Sequence, residues 1–501
     1  MKKFLAILLV LTIATASVAC TEKKATDDNS MELNGGVITR DKGDKSQEAP
    51  KFEAELPNAD KPLPTDENKS SEQPEVAEKT SSETEDKTDT DKEKQQEQTA
   101  AQSVDNTTAK AMTPIEQTIK TQEPLDEHFQ TLSARKNLDE VRAIWISYLD
   151  FNTLLKGKTQ QQFTENIGNA FTKSKNLGMN TVIVQVRPFG DALYKSEYFP
   201  WSYTITGTEG KNPGFDPLKI MVREAHNRGL KIEAWINPYR IRTGGYYDAI
   251  SDNNIAMKLY NDGSDAVIKY NGGYYYNPAS KKARQLITDG VVEIVDKYDV
   301  DGIHFDDYFY PTTDAAFDKE SYNKTDKSKS LADWRRNNVN LLIKGVYSAI
   351  KEKDETVLFG ISPQGNISNN YNQQYSDVEL WMSKPGYVDY ICPQIYWGFK
   401  HQTAAYETIV NQWNSKIRSK NVDLYIGLAP YKLGTNEASY AGAGVNEWKN
   451  TKDILARMVE TARTKDNYDG FVLFRYDSIF NPPANVKGQV KTEMANLKEI
   501  I

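Results

Sequence analysis

Cysteine and histidine are nearly missing from this chain of 501 residues, which has only Cys20 and Cys392 and, for imidazoles, His128, His226, His304 and His401. Two cysteines cannot build a disulfide framework or a paired-Cys zinc site. No HExxH is present, so metal chemistry is poorly supported. A GxSxG nucleophile turn and a phosphate-binding glycine loop are missing as well. A basic excess is also lacking. The formal net charge is −8, and residues 21–110 alone carry 23 acidic against 13 basic residues, which with Lys2 and Lys3 leaves residues 111–501 neutral overall. A nucleic-acid partner is therefore not expected, nor is any cofactor or metal.

Aromatic residues are scarce at the start, where residues 21–135 contain only Phe52 and Phe129. A segment so rich in Glu, Lys, Asp, Thr, Ser and Gln cannot bury enough apolar surface to offset its ordering entropy, and disorder is expected. Before it, residues 1–20 read as an export signal: Lys2 and Lys3, an apolar run from Phe4 to Ile13, small residues, and Cys20. The run is short for a bilayer crossing. SVAC (17–20) resembles a lipoprotein cleavage box, with Ser17 where Leu is usual. That resemblance implies lipidation of Cys20. The expected organisation is a lipoprotein signal (1–20), a disordered acidic tether (21–135) and a folded domain (136–501). The protein would be exported and held on the bacterial envelope, at the outer face of the cytoplasmic membrane. A flexible tether of ~110 residues has a root-mean-square span of roughly 60 Å.

From about Leu138 the pattern changes. Short apolar, β-branched runs occupy 142–148, 181–187, 231–238, 302–308, 357–364, 390–397, 424–430 and 470–477. Helical patterns separate most of them, such as FDPLKIMVREAHNRG before the third and NNVNLLIKGVYSAIKE before the fifth. Near-continuous apolar strands alternating with helices imply parallel β-α units. Eight units in ~360 residues indicate an α/β fold of the TIM type, a (β/α)8 barrel. An open doubly wound sheet is the alternative, but no Gly-rich dinucleotide turn follows the first run. Within the long connection after the third run, VIKYNGGYYY reads as a hairpin about an Asn-Gly turn.

In such a barrel the active site lies at the C-terminal strand ends, and strand alternation separates inward from outward side chains. In the fourth run Ile303 and Phe305 suit the helix side, so His304 and Asp306 point inward. Asp307 points away unless the strand has already ended. By the same parity Gln185 and Arg187 face inward, as do Glu233, Trp235 and Asn237. Ser362 and Gln364, Gln394 and Tyr396, and Arg475 and Asp477 complete the inward set. His304, Gln185 and Glu233 lie deeper, where a satisfied polar layer is as good a reading as a functional one. Aromatic residues crowd the same ends, among them Tyr239, Tyr308 and Trp397. Rings cover the apolar faces of sugars while carboxylates and amides bind hydroxyls, a combination suited to a glycan cleft. Cys392, inside YICPQIYW, suits a buried core position.

Glycoside cleavage needs a carboxyl acid and a second carboxylate, or a substrate acetamido group in its place. Asp306 is the first choice. Asp307, Asp191, Asp377 and Asp477 are options for the second. Arg187, Asp191, Trp235, Asn237, Tyr239, His304, Tyr308, Gln364, Gln394, Tyr396, Trp397, Arg475 and Asp477 form the expected substrate-binding set.

The segments RAIWISYLDF, NTVIVQVRPFGDALYKSEYFPWS, GLKIEAWINPYRI, DGIHFDDYFYP, GISPQGNI and VDYICPQIYW resemble the bacterial family 10-like glycosyl hydrolases over roughly residues 139–480. The resemblance implies a (β/α)8 barrel on an envelope lipoprotein and a peptidoglycan substrate, in particular glycan strands stripped of stem peptides. DGIHFDD also looks like a shortened form of the DGxDxDxE signature of chitinase-type barrels. Asp306 falls on its last Asp and Tyr308 on its terminal Glu. In that group a sixth-strand Tyr meets the substrate acetamido group, a place Tyr396 would occupy. Three functions are compatible with these features: a peptidoglycan glycosidase, a hydrolase of another extracellular polysaccharide, and a non-catalytic glycan-binding lipoprotein.

Overall fold

A computed structural model of the protein describes residues 140–244 and 250–501. The expected signal, Cys20 and the tether lie outside these residues. In chain order the strands are β1 (Val141–Ile146), β2 (Thr181–Arg187), β3 (Lys231–Ile236), β4 (Arg240–Arg242), β5 (Val267–Tyr270), β6 (Gly273–Tyr276), β7 (Gly302–Phe305), β8 (Leu358–Ile361), β9 (Tyr390–Ile391), β10 (Asp423–Leu428) and β11 (Tyr468–Leu473). Each of the eight apolar runs holds one barrel strand. β1-β2-β3-β7-β8-β9-β10-β11 pair in parallel and close back on β1, so the sheet is a barrel and not an open one.

The layer outside the barrel contains α1 (Gln160–Leu177), α2 (Pro217–His226), α3 (Lys281–Lys297), α4 (Leu331–Lys353), α5 (Val378–Ser383), α6 (Tyr406–Lys416), α7 (Ile454–Arg463) and α8 (Lys487–Glu499). Their starts follow local chemistry. Thr159 and Gln162 form a capping box on α1, and the side chains of Asp216, Ser280, Ser330 and Asp377 accept first-turn N–H groups of α2, α3, α4 and α5. Ile, Val and Leu from the outward strand faces and from the helices form the main core.

β4, β5 and β6 form a separate antiparallel sheet in the connection after β3. Its β5-β6 hairpin turns at Asn271 and Gly272, both at positive φ (44° and 75°), as a two-residue Asn-Gly turn requires. The connection after β7 is pinned by a fully buried ion pair. Arg335 Nη2 lies 2.6 Å from Asp318 Oδ1 and also donates to the Asp314 carbonyl at 2.7 Å, while Nη1 donates to the Tyr375 hydroxyl at 2.9 Å.

Inside the barrel lies a second apolar cluster that includes Ala143, Trp145, Ile183, Trp235, Tyr390, Cys392 and Val472. Cys392 is buried there as a free thiol. Large rings fit because small residues face them. A Cβ on Gly360 would fall 1.9 Å from the Tyr390 ring, with backbone and ring both held by neighbours. Gly360→Ala is therefore expected to destabilise the domain by about 1–3 kcal/mol through overpacking, read as a lower denaturation midpoint. An unchanged midpoint would mean that the interior layer is looser than this packing implies.

Candidate active site

β7 ends at Phe305, and the chain leaves the ladder with Asp306 and Asp307, both only 3% exposed. Because the strand has ended, alternation no longer sends Asp307 to the helix side. Its Oδ1 accepts from Gln394 Nε2 at 3.2 Å, and the same amide donates to the Ser362 carbonyl at 2.9 Å. Two consecutive carboxyls thus occupy the barrel mouth.

Asp306 ends a polar relay built from four neighbouring strand ends. The Tyr148 backbone N–H donates to Gln185 Oε1 at 3.0 Å, and Gln185 Nε2 donates to Asn237 Oδ1 at 2.7 Å. Asn237 Nδ2 then donates to Asp306 Oδ2 at 2.5 Å. The Tyr308 backbone N–H donates to Asp306 Oδ1 at 3.1 Å. A single backbone N–H at the far end thus fixes the orientation of both amides, and the last one must present its donor to the carboxyl. Gln185, a deep residue by parity, is the link that holds Asn237 in this orientation.

Burial, and after it the neighbouring Asp307 charge, raise the Asp306 carboxyl to about 7, net of the lowering effects of Arg240, the Tyr308 N–H and Asn237. Burial raises Asp307 as well, but its remaining main influences are hydrogen bonds, including those from Gln364 and Gln394, and the Arg240 charge, all of which lower it. With one proton between the two groups, Asp306 is the protonated partner.

Beneath the mouth, His304 is fully enclosed. Its Nε2 accepts from the Trp145 indole at 3.2 Å and lies 2.9 Å from Ser362 Oγ. The proton must then sit on Nδ1, which lies 2.7 Å from the Tyr390 hydroxyl, and that hydroxyl donates to Glu233. Burial pushes the imidazole down to about 3, so it is neutral. His304 points inward as parity expects, and its burial and hydrogen bonds make it a positioning residue of the polar layer beneath the site.

Several other expected contacts are engaged by the protein itself. The β2-β3 ladder slips between Gln185 and Arg187, which removes Arg187 from the inward parity. Its guanidinium lies 4.4 Å from the Phe199 ring, Phe199 packs against Gly290 of α3, and among the described residues no Arg187 nitrogen has a hydrogen-bond partner. Asp191 accepts from the Tyr203 N–H at 3.1 Å in the same region, and Tyr239 packs edge-on to Phe309 at 6.3 Å. Asp377 caps α5. Arg475 and Asp477 pair with each other and with Asp150, a fully buried carboxylate just beyond β1 that parity did not flag. Asp150 also accepts from the Ser147 N–H and hydroxyl, and burial pushes its carboxyl up to about 6.

Among the described residues, Trp235 Nε1, the Tyr396 hydroxyl and Trp397 Nε1 are buried donors without an acceptor, as are the Arg187 guanidinium and the Tyr239 hydroxyl. Tyr396 is close enough to Asp306 and Asp307 to feel their charges. Gln364 sits at an isolated parallel bridge with Gln394 that extends β8 and β9 towards the mouth. Tyr308 stacks on Arg240, whose guanidinium also lies 4.8 Å from the Phe189 ring. Arg240 belongs to β4, outside the barrel strands, and carries no periodic signal.

A family model described as glycosyl hydrolase-like 10 matches residues 140–442. The chain is 35% identical over 380 residues to the glycosyl hydrolase YngK of Bacillus subtilis, covering 71% of this chain and 72% of that protein. It is 33% identical over 388 residues to the glycosyl hydrolase DigH of Escherichia coli K12, covering 70% of this chain and 86% of that protein. Among solved structures, the PgaB (BpsB) glycoside hydrolase domain from Bordetella bronchiseptica superposes with a TM-score of 0.48 at 12% identity, over 72% of this chain and 98% of that one.

The coupling of the two carboxyls is open to direct titration. In carboxyl-labelled protein followed by NMR, one group of the pair is expected to titrate near pH 7. Asp307→Asn removes a neighbouring negative charge and should lower the Asp306 midpoint. A midpoint that stays put or rises in the variant would show that the two charges do not interact.

Proposed function

The chain belongs to the glycosyl hydrolase-like 10 family, and on that premise we propose that it is a glycoside hydrolase of the bacterial cell envelope that cleaves peptidoglycan glycan strands, with Asp306 as the proton donor. The observation that carries this reading is the buried Asp306–Asp307 pair, with its proton held on Asp306 close to neutral pH. A general acid works best with an affinity for protons near the operating pH. The acid therefore need not come from position 308, where the chitinase-type signature has Glu and this chain has Tyr.

Asp306 would deliver its proton to the glycosidic oxygen as the C–O bond breaks. Asp307, ionised and oriented by Gln394, would face the positive charge that builds up on the anomeric carbon, or hold the substrate acetamido group that stabilises it. The donors on Trp235, Tyr396 and Trp397 suit sugar hydroxyl and acetamido oxygens, which support an N-acetylated glycan. The resemblance of residues 17–20 to a lipoprotein box supports anchoring through Cys20 at the outer face of the cytoplasmic membrane, with residues 21–135 spanning outward.

Purified protein incubated with glycan strands, with and without stem peptides, should release soluble muro-oligosaccharides. Activity should fall as pH rises through about 7, because the acid is lost on deprotonation. Asp306→Asn should lower the rate about 10²–10⁴-fold. Product from another extracellular polysaccharide alone, or binding to sacculi without any product, would contradict the proposal. In cells, Cys20→Ala should release the protein from the membrane fraction, and retention there would contradict lipid anchoring.

A further inference from the structure

Arg187 closes β2, and its guanidinium enters the space between Phe199, which packs on Gly290 of α3, and Tyr276 at the end of β6. The residue is 1% exposed. Among the described residues none of Nε, Nη1 and Nη2 has an acceptor, carboxylate oxygens included. The buried hydroxyls of Tyr194 and Tyr276 have no partner there either. One cation and two phenol O–H groups, all of them donors, thus share an enclosed space. We propose that this space is a binding site for a small inorganic anion of the chloride class, which ties the end of β2, the connection after it and the β4-β5-β6 sheet together behind the mouth.

Arg335, which is as deeply buried, shows how this chain treats such a charge elsewhere. It is paired with Asp318 and donates to the Tyr375 hydroxyl and to the Thr313 and Asp314 carbonyls. Arg187 has no equivalent, and a buried guanidinium without a counter-charge carries a heavy desolvation cost. Phe199 covers the guanidinium at 4.4 Å, but a ring offers no acceptor to N–H groups that point outward in the guanidinium plane. Burial acts on Arg187 most strongly, then Tyr194 and Tyr276, and only then Asp191 and Glu293. Both carboxyls are oriented by other groups. Glu293 accepts from the Ser196 hydroxyl at 2.5 Å, the Glu197 N–H at 2.6 Å and Lys297 Nζ at 2.9 Å. Asp191 Oδ2 accepts from the Tyr203 N–H, and Oδ1 has no donor among the described residues, the Arg187 nitrogens included. After burial, the charges that act most on Asp191 are Glu209 and Arg242, which pair with each other. An anion would supply both things that Arg187 lacks, an acceptor and a negative charge, whereas water would supply only the acceptor. Arg187, Tyr194, Phe199 and Tyr276 are 0–4% exposed, so the space suits a compact, spherical ion and not a sugar acid or a phosphate ester. The next residues along the chain are Pro188, whose carbonyl accepts from Arg240 Nε, and Phe189, which packs on Arg240 and Tyr148. An anion that fixes Arg187 therefore also steadies one wall of the mouth.

Long-wavelength anomalous diffraction from crystals of protein purified in chloride separates chloride from water. A peak is expected beside the Arg187 guanidinium and the Tyr276 hydroxyl, and protein purified in bromide should show it at the bromine edge instead. No anomalous peak from either halide would overturn the inference and leave water in the space. In solution, the thermal midpoint of the full chain should rise saturably, by about 2 °C or more, as chloride replaces gluconate at constant ionic strength. Tyr276→Phe removes one donor and should raise the half-saturating chloride concentration about tenfold. Arg187→Met should abolish the chloride response. Equal midpoints in chloride and gluconate would overturn the inference, as would a chloride response that is unchanged in these variants. If Arg187→Met fails to fold, Tyr276→Phe decides alone. None of these readouts depends on glycan cleavage, so the anion site and the glycosidase reading stand or fall separately.

Discussion

Two consecutive carboxyl groups kept from water at the mouth of a barrel cannot both ionise without a heavy desolvation and repulsion cost. Much of the molecule around them answers that constraint. Asn237 and the Tyr308 N–H supply donors to Asp306, Gln394 supplies one to Asp307, and Arg240 supplies a nearby cation. These compensations are incomplete for Asp306, and the proton it retains near neutrality is the chemically useful remainder. The barrel makes the compensation possible because closure sets the ends of β1, β2, β3 and β7 side by side in fixed register. On an open sheet the relay from Tyr148 to Asp306 would end at an edge.

Rigidity below and beside the pair serves the same end. The Trp145–His304–Tyr390–Glu233 chain fills the interior with directed hydrogen bonds, so Ser362 and the strand ends above it have no room to drift. The Arg335–Asp318 pair fixes the connection that begins with the two carboxyls. One cation and two rings line one side of the mouth, at Arg240, Phe189 and Tyr308, while Tyr396 packs edge-on to Tyr431 at 5.7 Å on the loops after β9 and β10.

The barrel was legible in the chain because its strands are buried on both faces and read as apolar runs, and because the helix patterns between them have the other period. Alternation also placed Asp306, Asn237 and Gln394 at the mouth, since each lies in or just beyond a regular strand. It failed where regularity fails. The β2-β3 register slip moved Arg187 out of the inward set, and the end of β7 at Phe305 brought Asp307 in. Asp150 and Arg240 lie in connections with no period to read, and their partners are distant in sequence. For His304 the inward direction was correct, but burial, which alternation does not report, decided its role.

The central claim is that Asp306 donates the proton to the leaving oxygen. Its most direct test compares two substrates on the Asp306→Asn protein: a natural glycosidic linkage and a dinitrophenyl glycoside of the same sugar, whose leaving group departs without protonation. The account predicts a large loss on the natural linkage and near-normal rates of aryl release. Equal losses on both substrates would contradict it and would leave Asp306 a structural or binding group.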